Sequence, residues 1–316
     1  MLKRSLASLF FGLLLSIAVS NVSADEEPEL LDGGYLAGPD EFKYQVSVQL
    51  LEDDCRRHIC GGAIIDEWHI VTSPMCFDVV SLVNNDIFKQ NINYVVVAGT
   101  RDLRNKTSGL YREVEYTYEP AKSVHDELFH SKRCSEIAIL KLKNPLPLDT
   151  DPRISAIDLP TVDQYLYESQ QKPLTIVSTG FGFYQKYPDG RMVRGWDSPT
   201  LQWDYQEYQD QYPEPCDSMT VKTNFPEDPN IVPTTCNSDY GAPLVEKKTP
   251  TGKYTLIGIA LDRAGKYCDL GRKFVRVSAF LDFIGNVQNQ VFNEVISKKI
   301  PEHHDAELMP SYPLCW

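Results

Sequence analysis

Eight cysteines stand at positions 55, 60, 76, 134, 216, 236, 268 and 315 of a 316-residue chain, and all of them follow an apolar leader. In that leader Lys3 and Arg4 give a basic start, Leu6 to Val19 carries no charge, and Val22-Ser23-Ala24 supplies small residues ahead of Asp25. This is the order of parts in a secretory signal peptide, cut after Ala24, with a cut after Ser20 as the alternative. The apolar run is short for a membrane anchor, and no later stretch is long and apolar enough to span a bilayer. Export turns the cysteines into a disulfide framework rather than a set of thiols. No Cys-x-x-Cys pair occurs, which argues against zinc. Neither a metal nor a cofactor is expected.

The chain is read as residues 1–24, the leader; 25–30, an acidic linker of sequence DEEPEL; 31–299, one globular domain; and 300–316, a tail. The formal charge is −13. Loss of Lys3 and Arg4 leaves 29 basic against 44 acidic residues, or −15. Such a surface repels nucleic acid and anionic membranes, and neither is expected as a partner. Turn residues, 21 prolines and 18 glycines, break the chain into short runs such as Tyr94 to Gly99, rich in β-branched residues. That pattern favours an all-β domain. Helical spacing appears only near the end, where Phe280, Leu281, Ile284, Val287, Val291 and Val295 predict a helix reaching about Lys299.

Several motifs follow one another in a set order. Leu31-Asp32-Gly33-Gly34-Tyr35 precedes Tyr44-Gln45-Val46-Ser47-Val48. Next come Cys60-Gly61-Gly62-Ala63-Ile64-Ile65 and Val71-Thr72-Ser73-Pro74-Met75-Cys76. Ser135-Glu136-Ile137-Ala138-Ile139-Leu140 and Leu174 to Gly182 come later, and then Cys236-Asn237-Ser238-Asp239-Tyr240-Gly241-Ala242-Pro243-Leu244. Together they resemble the trypsin/chymotrypsin-like serine proteases over roughly Leu31 to Lys299. The family pattern reads Gly-Asp-Ser-Gly-Gly-Pro-Leu at the last motif, Leu-Thr-Ala-Ala-His-Cys at Cys76 and Asn-Asp-Ile-Ala-Leu-Leu at Glu136. The resemblance implies two six-stranded antiparallel Greek-key barrels followed by a C-terminal α-helix. It also implies bridges Cys60–Cys76 and Cys236–Cys268. Cys55, Cys134, Cys216 and Cys315 are then left with three pairings.

At the family's reactive positions the residues differ. The resemblance places Met75 at the histidine, Glu136 at the aspartate and Tyr240 at the serine. The family's chemistry needs base, orienter and nucleophile in one hydrogen-bonded line. Methionine accepts no proton, and a phenol without a base beside it is a poor nucleophile. The oxyanion loop, Ser238 and Tyr240, has a serine where the family has glycine, which disfavours the backbone angle the site needs. The pocket base falls at Thr234, and Arg263 and Arg272 fall where the family keeps open walls. Activation by a trypsin-like cut before Leu31 is not encoded, because no Lys or Arg lies between Arg4 and Leu31. Cleavage there by another protease stays open.

Six histidines, 58, 69, 125, 130, 303 and 304, are the other candidate bases. Each is expected to pack or face solvent, since a catalytic histidine needs a positioned partner. Asn105-Lys106-Thr107 is an N-glycosylation sequon; the sequon at Asn21 leaves with the leader. The run Trp203 to Tyr208 is expected to be an exposed strand with alternating faces rather than a sulfation site. The tail is expected to dock, tied by Cys315. The whole reads as a secreted, non-catalytic protease homologue acting on an extracellular protein partner, such as a protease or cascade component, as adaptor, decoy or regulator. The rivals are a hydrolase with atypical catalytic residues and a secreted structural or storage protein.

Overall fold

Strand β3 (Gln45–Glu52) shows how this sequence builds its sheets. Val46, Val48 and Leu50 recur with period two and enter one apolar core with Ile64, Ile70, Val96 and Leu140. The alternate residues Gln45, Ser47 and Gln49 are also buried. They are polar but bonded: Gln49 Nε2 donates to Ser47 Oγ at 3.0 Å, and Gln45 Oε1 accepts from Thr179 Oγ1 at 2.7 Å. A buried polar face costs little when its groups are hydrogen-bonded. The Thr179 bond crosses between the two halves of the molecule.

The structure is a computed structural model. It describes residues 30–31, 34–52, 55–77, 94–121, 136–161, 175–181, 184–186, 192–194, 199–208, 220–224, 240–247, 252–261, 272–300 and 306–315. The leader, most of DEEPEL, Cys134, Cys216, His125, His130, His303 and His304 lie outside them.

Two short strands, β1 (Leu30–Leu31) and β2 (Gly34–Leu36), come before β3. The first sheet continues with β4 (Cys55–Ile64), β5 (His69–Thr72), β6 (Tyr94–Ala98), β7 (Leu110–Pro120) and β8 (Ala138–Leu142). The second sheet holds β9 (Thr175–Gly180), β12 (Gln202–Tyr208), β13 (Thr220–Asn224), β14 (Pro243–Lys247), β15 (Tyr254–Ala260) and β16 (Arg272–Arg276). Between β9 and β12, β10 (Tyr184–Lys186) and β11 (Met192–Arg194) form a hairpin. All pairings are antiparallel. The first sheet closes where β7 meets β8, and the second where β12 meets β9. Each is therefore a closed ring of six. Counting each ring's strands in chain order, both run 1-2-3-6-5-4. The two-barrel expectation holds. The sequence shows no repeat, yet the halves share one connectivity.

Between the barrels lies a shared core that includes Phe42, Tyr44, Val71, Ile139, Val177, Val245, Ile259 and Val275. Strand β12 is not the exposed alternating strand expected: Gln202, Trp203 and Asp204 are all buried, where it pairs with β9 and β2, and alternation begins only with exposed Tyr205, buried Gln206 and exposed Glu207. β2 adds to it, with Trp203 opposite Tyr35, and β1 folds back on β2 with Leu31 opposite Gly34.

The C-terminal helix is shorter than the apolar spacing predicts. A turn of 3-10 helix, Val277–Phe280, leads into α1 (Leu281–Gln288), and Val295–Lys299 is a strand, β17, paired with β7. Val291 N–H donates to Asn286 O and Gln290 N–H to Val287 O, with Gln290 left-handed at φ 58°. That is a Schellman stop built on glutamine. The spacing ran on because no glycine marks this end.

The tail docks on the first barrel. Cys315 bridges to Cys55 with a Cα–Cα distance of 5.2 Å. Leu314 makes a parallel bridge with Arg56. Met309 is buried with Val95, Val97 and Tyr111. Arg56 itself is fully buried and donates to the Tyr312 carbonyl, Gln49 Oε1, the Tyr111 hydroxyl and the Leu103 carbonyl. Burial pulls its pKa down from the usual guanidinium value.

Candidate active site

Strand β5 ends at Thr72, and β8 begins at Ala138, its register partner. Antiparallel pairing therefore brings the segment after Thr72 and the segment before Ala138 to one end of the first barrel. Met75 follows on one side and Glu136 precedes on the other, both half-buried. Met75 opens a helical turn, and its N–H donates to Ser73 Oγ at 3.3 Å. Cys60 and Cys76 are bridged at a Cα–Cα distance of 5.9 Å, as expected, which pins this turn to β4.

Onto the same place comes the segment that starts the second barrel's β14. Tyr240 is half-buried and packs against the cluster that holds Cys60 and Cys76. Its carbonyl accepts from Gly61 N–H at 2.9 Å. Gly241 N–H donates to Ala260 O at 3.0 Å, and Ala260 N–H donates to Ala242 O at 2.9 Å. Thr72 Oγ1 donates to Gly61 O at 2.7 Å and lies 3.5 Å from Cys76 Sγ. Gly241 takes φ +77°, and a β-carbon there would fall 2.5 Å from the Gly61 carbonyl oxygen. So Gly61 and Gly241, with the Thr72 hydroxyl between them, hold the two barrels so close that neither glycine has room for a side chain. Sequence reasoning assigned no role to Thr72; its place three residues before Met75 was the available signal.

The structure thus sets Tyr240 against the cluster that holds Cys76, the residue after Met75, and places Met75 and Glu136 at the same end of the first barrel. Thr234, Cys236, Ser238, Arg263 and Cys268 lie outside the described residues. Arg272 is placed by its backbone at the start of β16, opposite Thr223. Asn105 is exposed, with its Oδ1 accepting from Thr107 Oγ1 at 3.0 Å.

Two histidines have described partners, and neither faces this site. His58 is buried, with Nδ1 2.7 Å from Ser47 Oγ and its ring edge-on to Phe181. His69 Nδ1 lies 2.9 Å from both oxygens of Asp66. His69 is three residues before Thr72, about 10 Å along the strand and away from the Met75 end. Burial pushes the Asp66 carboxyl up, but bonds from His69, Gln288 Nε2 at 2.8 Å and Trp68 N–H outweigh it and hold the pKa below the usual carboxylate value. Among the described residues, no group of three or more His, Cys, Asp or Glu could hold a metal ion.

The sequence pattern described as Trypsin matches residues 31–284. The chain belongs to the trypsin family. Chymotrypsin-C of Mus musculus is 27% identical over 269 residues, covering 80% of this chain and 86% of the relative. A collagenase of Hypoderma lineatum is 25% identical over 286 residues, covering 87% and 96%. Among solved structures, a mutant of human heparin binding protein superposes with TM-score 0.59 and 21% identity, covering 82% of this chain and 97% of that one. That likeness bears on the fold alone. Within this trypsin-family chain, Gly61, Thr72 and Gly241 bring the segment that ends β5 against the segment that leads into β14.

Proposed function

We propose that this trypsin-family chain is a secreted protein that does not cleave peptides and works by binding an extracellular protein, as adaptor, decoy or regulator of a proteolytic cascade. One observation carries the reading. Among the described residues, the scaffold that would present a histidine and a serine keeps the Cys60–Cys76 bridge and the Gly61–Tyr240 backbone bond. The residues presented are a thioether, Met75, and a phenol, Tyr240. Loss of either reactive group alone lowers turnover about a million-fold in enzymes of this kind. Among the described residues, neither histidine is set up as a replacement base: His58 is buried with Nδ1 against Ser47 Oγ, and His69 is turned to Asp66. Export is supported by the leader and by two disulfides among the described residues.

The test is labelling of the purified, secreted protein with a fluorophosphonate probe, alongside digestion of a peptide library. Mouse chymotrypsin-C serves as the positive control. The expected result is no stoichiometric label and no cleavage above a buffer blank. Stoichiometric labelling, or cleavage at protease-like rates, overturns the reading.

A further inference from the structure

Five large apolar side chains are exposed among the described residues: Tyr205, Val291, Phe292, Ile296 and Leu308. Three of them fall within 291–296, the turn from α1 into β17. The Phe292 ring stacks on Tyr118 at 5.3 Å, and Tyr118 stacks on Tyr116 at 5.9 Å. Tyr118 is also the register partner of Ser297, so this aromatic row runs beside β17. Gln290 and Glu294, both left-handed at φ 58° and 57°, frame the exposed pair Val291 and Phe292. Left-handed non-glycine residues are costly and uncommon.

Strand β17 is an edge. It pairs with β7 on one side, and among the described residues no strand pairs with the other. Ala121 N–H donates to Glu294 O and Ile300 N–H to Glu115 O. By antiparallel alternation, Ile296 and Lys298 also aim their backbone groups at β7. Val295, Ser297 and Lys299 then aim theirs outward. Lysines commonly guard such edges against pairing, but here they occupy one end only, Lys298 and Lys299, while Val295 and Ile296 hold the other. Lys141 on β8 and Lys143 just after it pair with Glu115 and Glu113. Lys298 and Lys299 have no ion-pair partner among the described residues.

We propose that the outer edge of β17 takes an extended segment of a partner protein in antiparallel pairing, with acidic residues at its N-terminal end and aliphatic ones after them. Strand addition supplies main-chain bonds from Val295, Ser297 and Lys299. The acidic end meets Lys298 and Lys299, and the aliphatic end covers Ile296. A second copy fits poorly. Antiparallel self-pairing about Ser297 sets Ile296 against Lys298 and Val295 against Lys299. The inference deepens the reading of the chain as a binding protein. Its test is separate from the labelling experiment, because neither the probe nor the variants touch Met75 or Tyr240.

Fluorescence anisotropy of a labelled hexapeptide, Glu-Glu-Thr-Val-Thr-Val, is measured with the secreted protein. The lysine counterpart, Lys-Lys-Thr-Val-Thr-Val, is run beside it. The acidic peptide should bind saturably and at least ten-fold more tightly than the basic one. Ser297→Pro removes an outward N–H without touching the bonds to β7, and should weaken binding at least ten-fold. The pair Lys298→Glu and Lys299→Glu should invert the peptide preference, and decides the matter if the proline variant does not fold. Absence of saturable binding, equal binding of the two peptides, or unchanged binding by folded variants overturns the proposal.

Discussion

Gly241 and Thr72, from different barrels, approach so closely that no β-carbon fits between them. The left-handed backbone of Gly241 and the Gly61 carbonyl oxygen, 2.5 Å from where that carbon would fall, close off the remaining directions. Gly241→Ala should therefore destabilise the protein by roughly 2–4 kcal/mol. Urea denaturation of the purified variant measures this. Ala242→Gly, next along the chain, gives the comparison for a change without a clash. An unchanged midpoint for Gly241→Ala would mean that the two barrels can part at this point without cost.

Asp66 ties α1 to the first barrel through Gln288 Nε2. Its folded-state pKa lies below the ordinary value, despite the upward push of burial, because His69, Gln288 and Trp68 N–H stabilise the carboxylate. The stability this adds is complete above the unfolded-state pKa and is lost as pH falls through the folded one. Thermal midpoints taken across the acid range should fall less steeply for Asp66→Asn than for the parent. Parallel curves would remove Asp66 from the acid response.

Tyr254 behaves in the opposite sense. Burial first, then the charges of Glu41 and Tyr205, push its phenol up to about 12. The group contributes stability below the unfolded value of about 10 that is lost as pH rises through the folded one. Absorbance titration at alkaline pH should show a late phenol that is missing in Tyr254→Phe. The variant should also lose less stability between pH 10 and about 12. An unaltered titration curve in the variant refutes the assignment.

Cys55 and Cys315 are bridged, as are Cys60 and Cys76. Of the three pairings open to the four remaining cysteines, the Cys55–Cys315 bond leaves one, Cys134 with Cys216, provided Cys236 joins Cys268. Non-reducing peptide mapping should recover all four bridges. A peptide joining Cys134 to Cys236 or Cys268 contradicts this.

Much of the fold could be read from local pattern. Each barrel strand that matched a motif appears within a few residues of its expected place, because buried β-branched runs such as Tyr94 to Ala98 have one comfortable environment. The bridge at Cys60 was readable from the family resemblance, which places its partner 16 residues on in the next motif. Two features were not readable. The end of α1 uses glutamine where glycine normally marks the stop, so the apolar spacing carried the expectation past it. Arg56 sits in a basic run that looks solvated, Cys-Arg-Arg-His, yet it is buried because residues from the far end of the chain, Tyr312 among them, complete its shell. No local pattern contains that information. At the candidate site, Met75 and Tyr240 stand out in the sequence by residue type; the close approach of Gly61, Thr72 and Gly241 does not, because it joins residues far apart in the chain through backbone atoms and one hydroxyl.

The docked tail bears on how the protein is made. A chain emerging from the ribosome presents its first barrel early, and such units commonly fold in order of synthesis. Here β17 pairs with β7, and Cys315 closes on Cys55 across 260 residues. The first barrel to be synthesised is therefore finished by residues added only after the whole of the second barrel. Until those residues appear, Arg56 lacks the Tyr312 carbonyl and Cys55 stays a thiol. A stop before Tyr312 thus strikes the N-terminal barrel, which is left with Cys55 unbridged and Arg56 short of one acceptor.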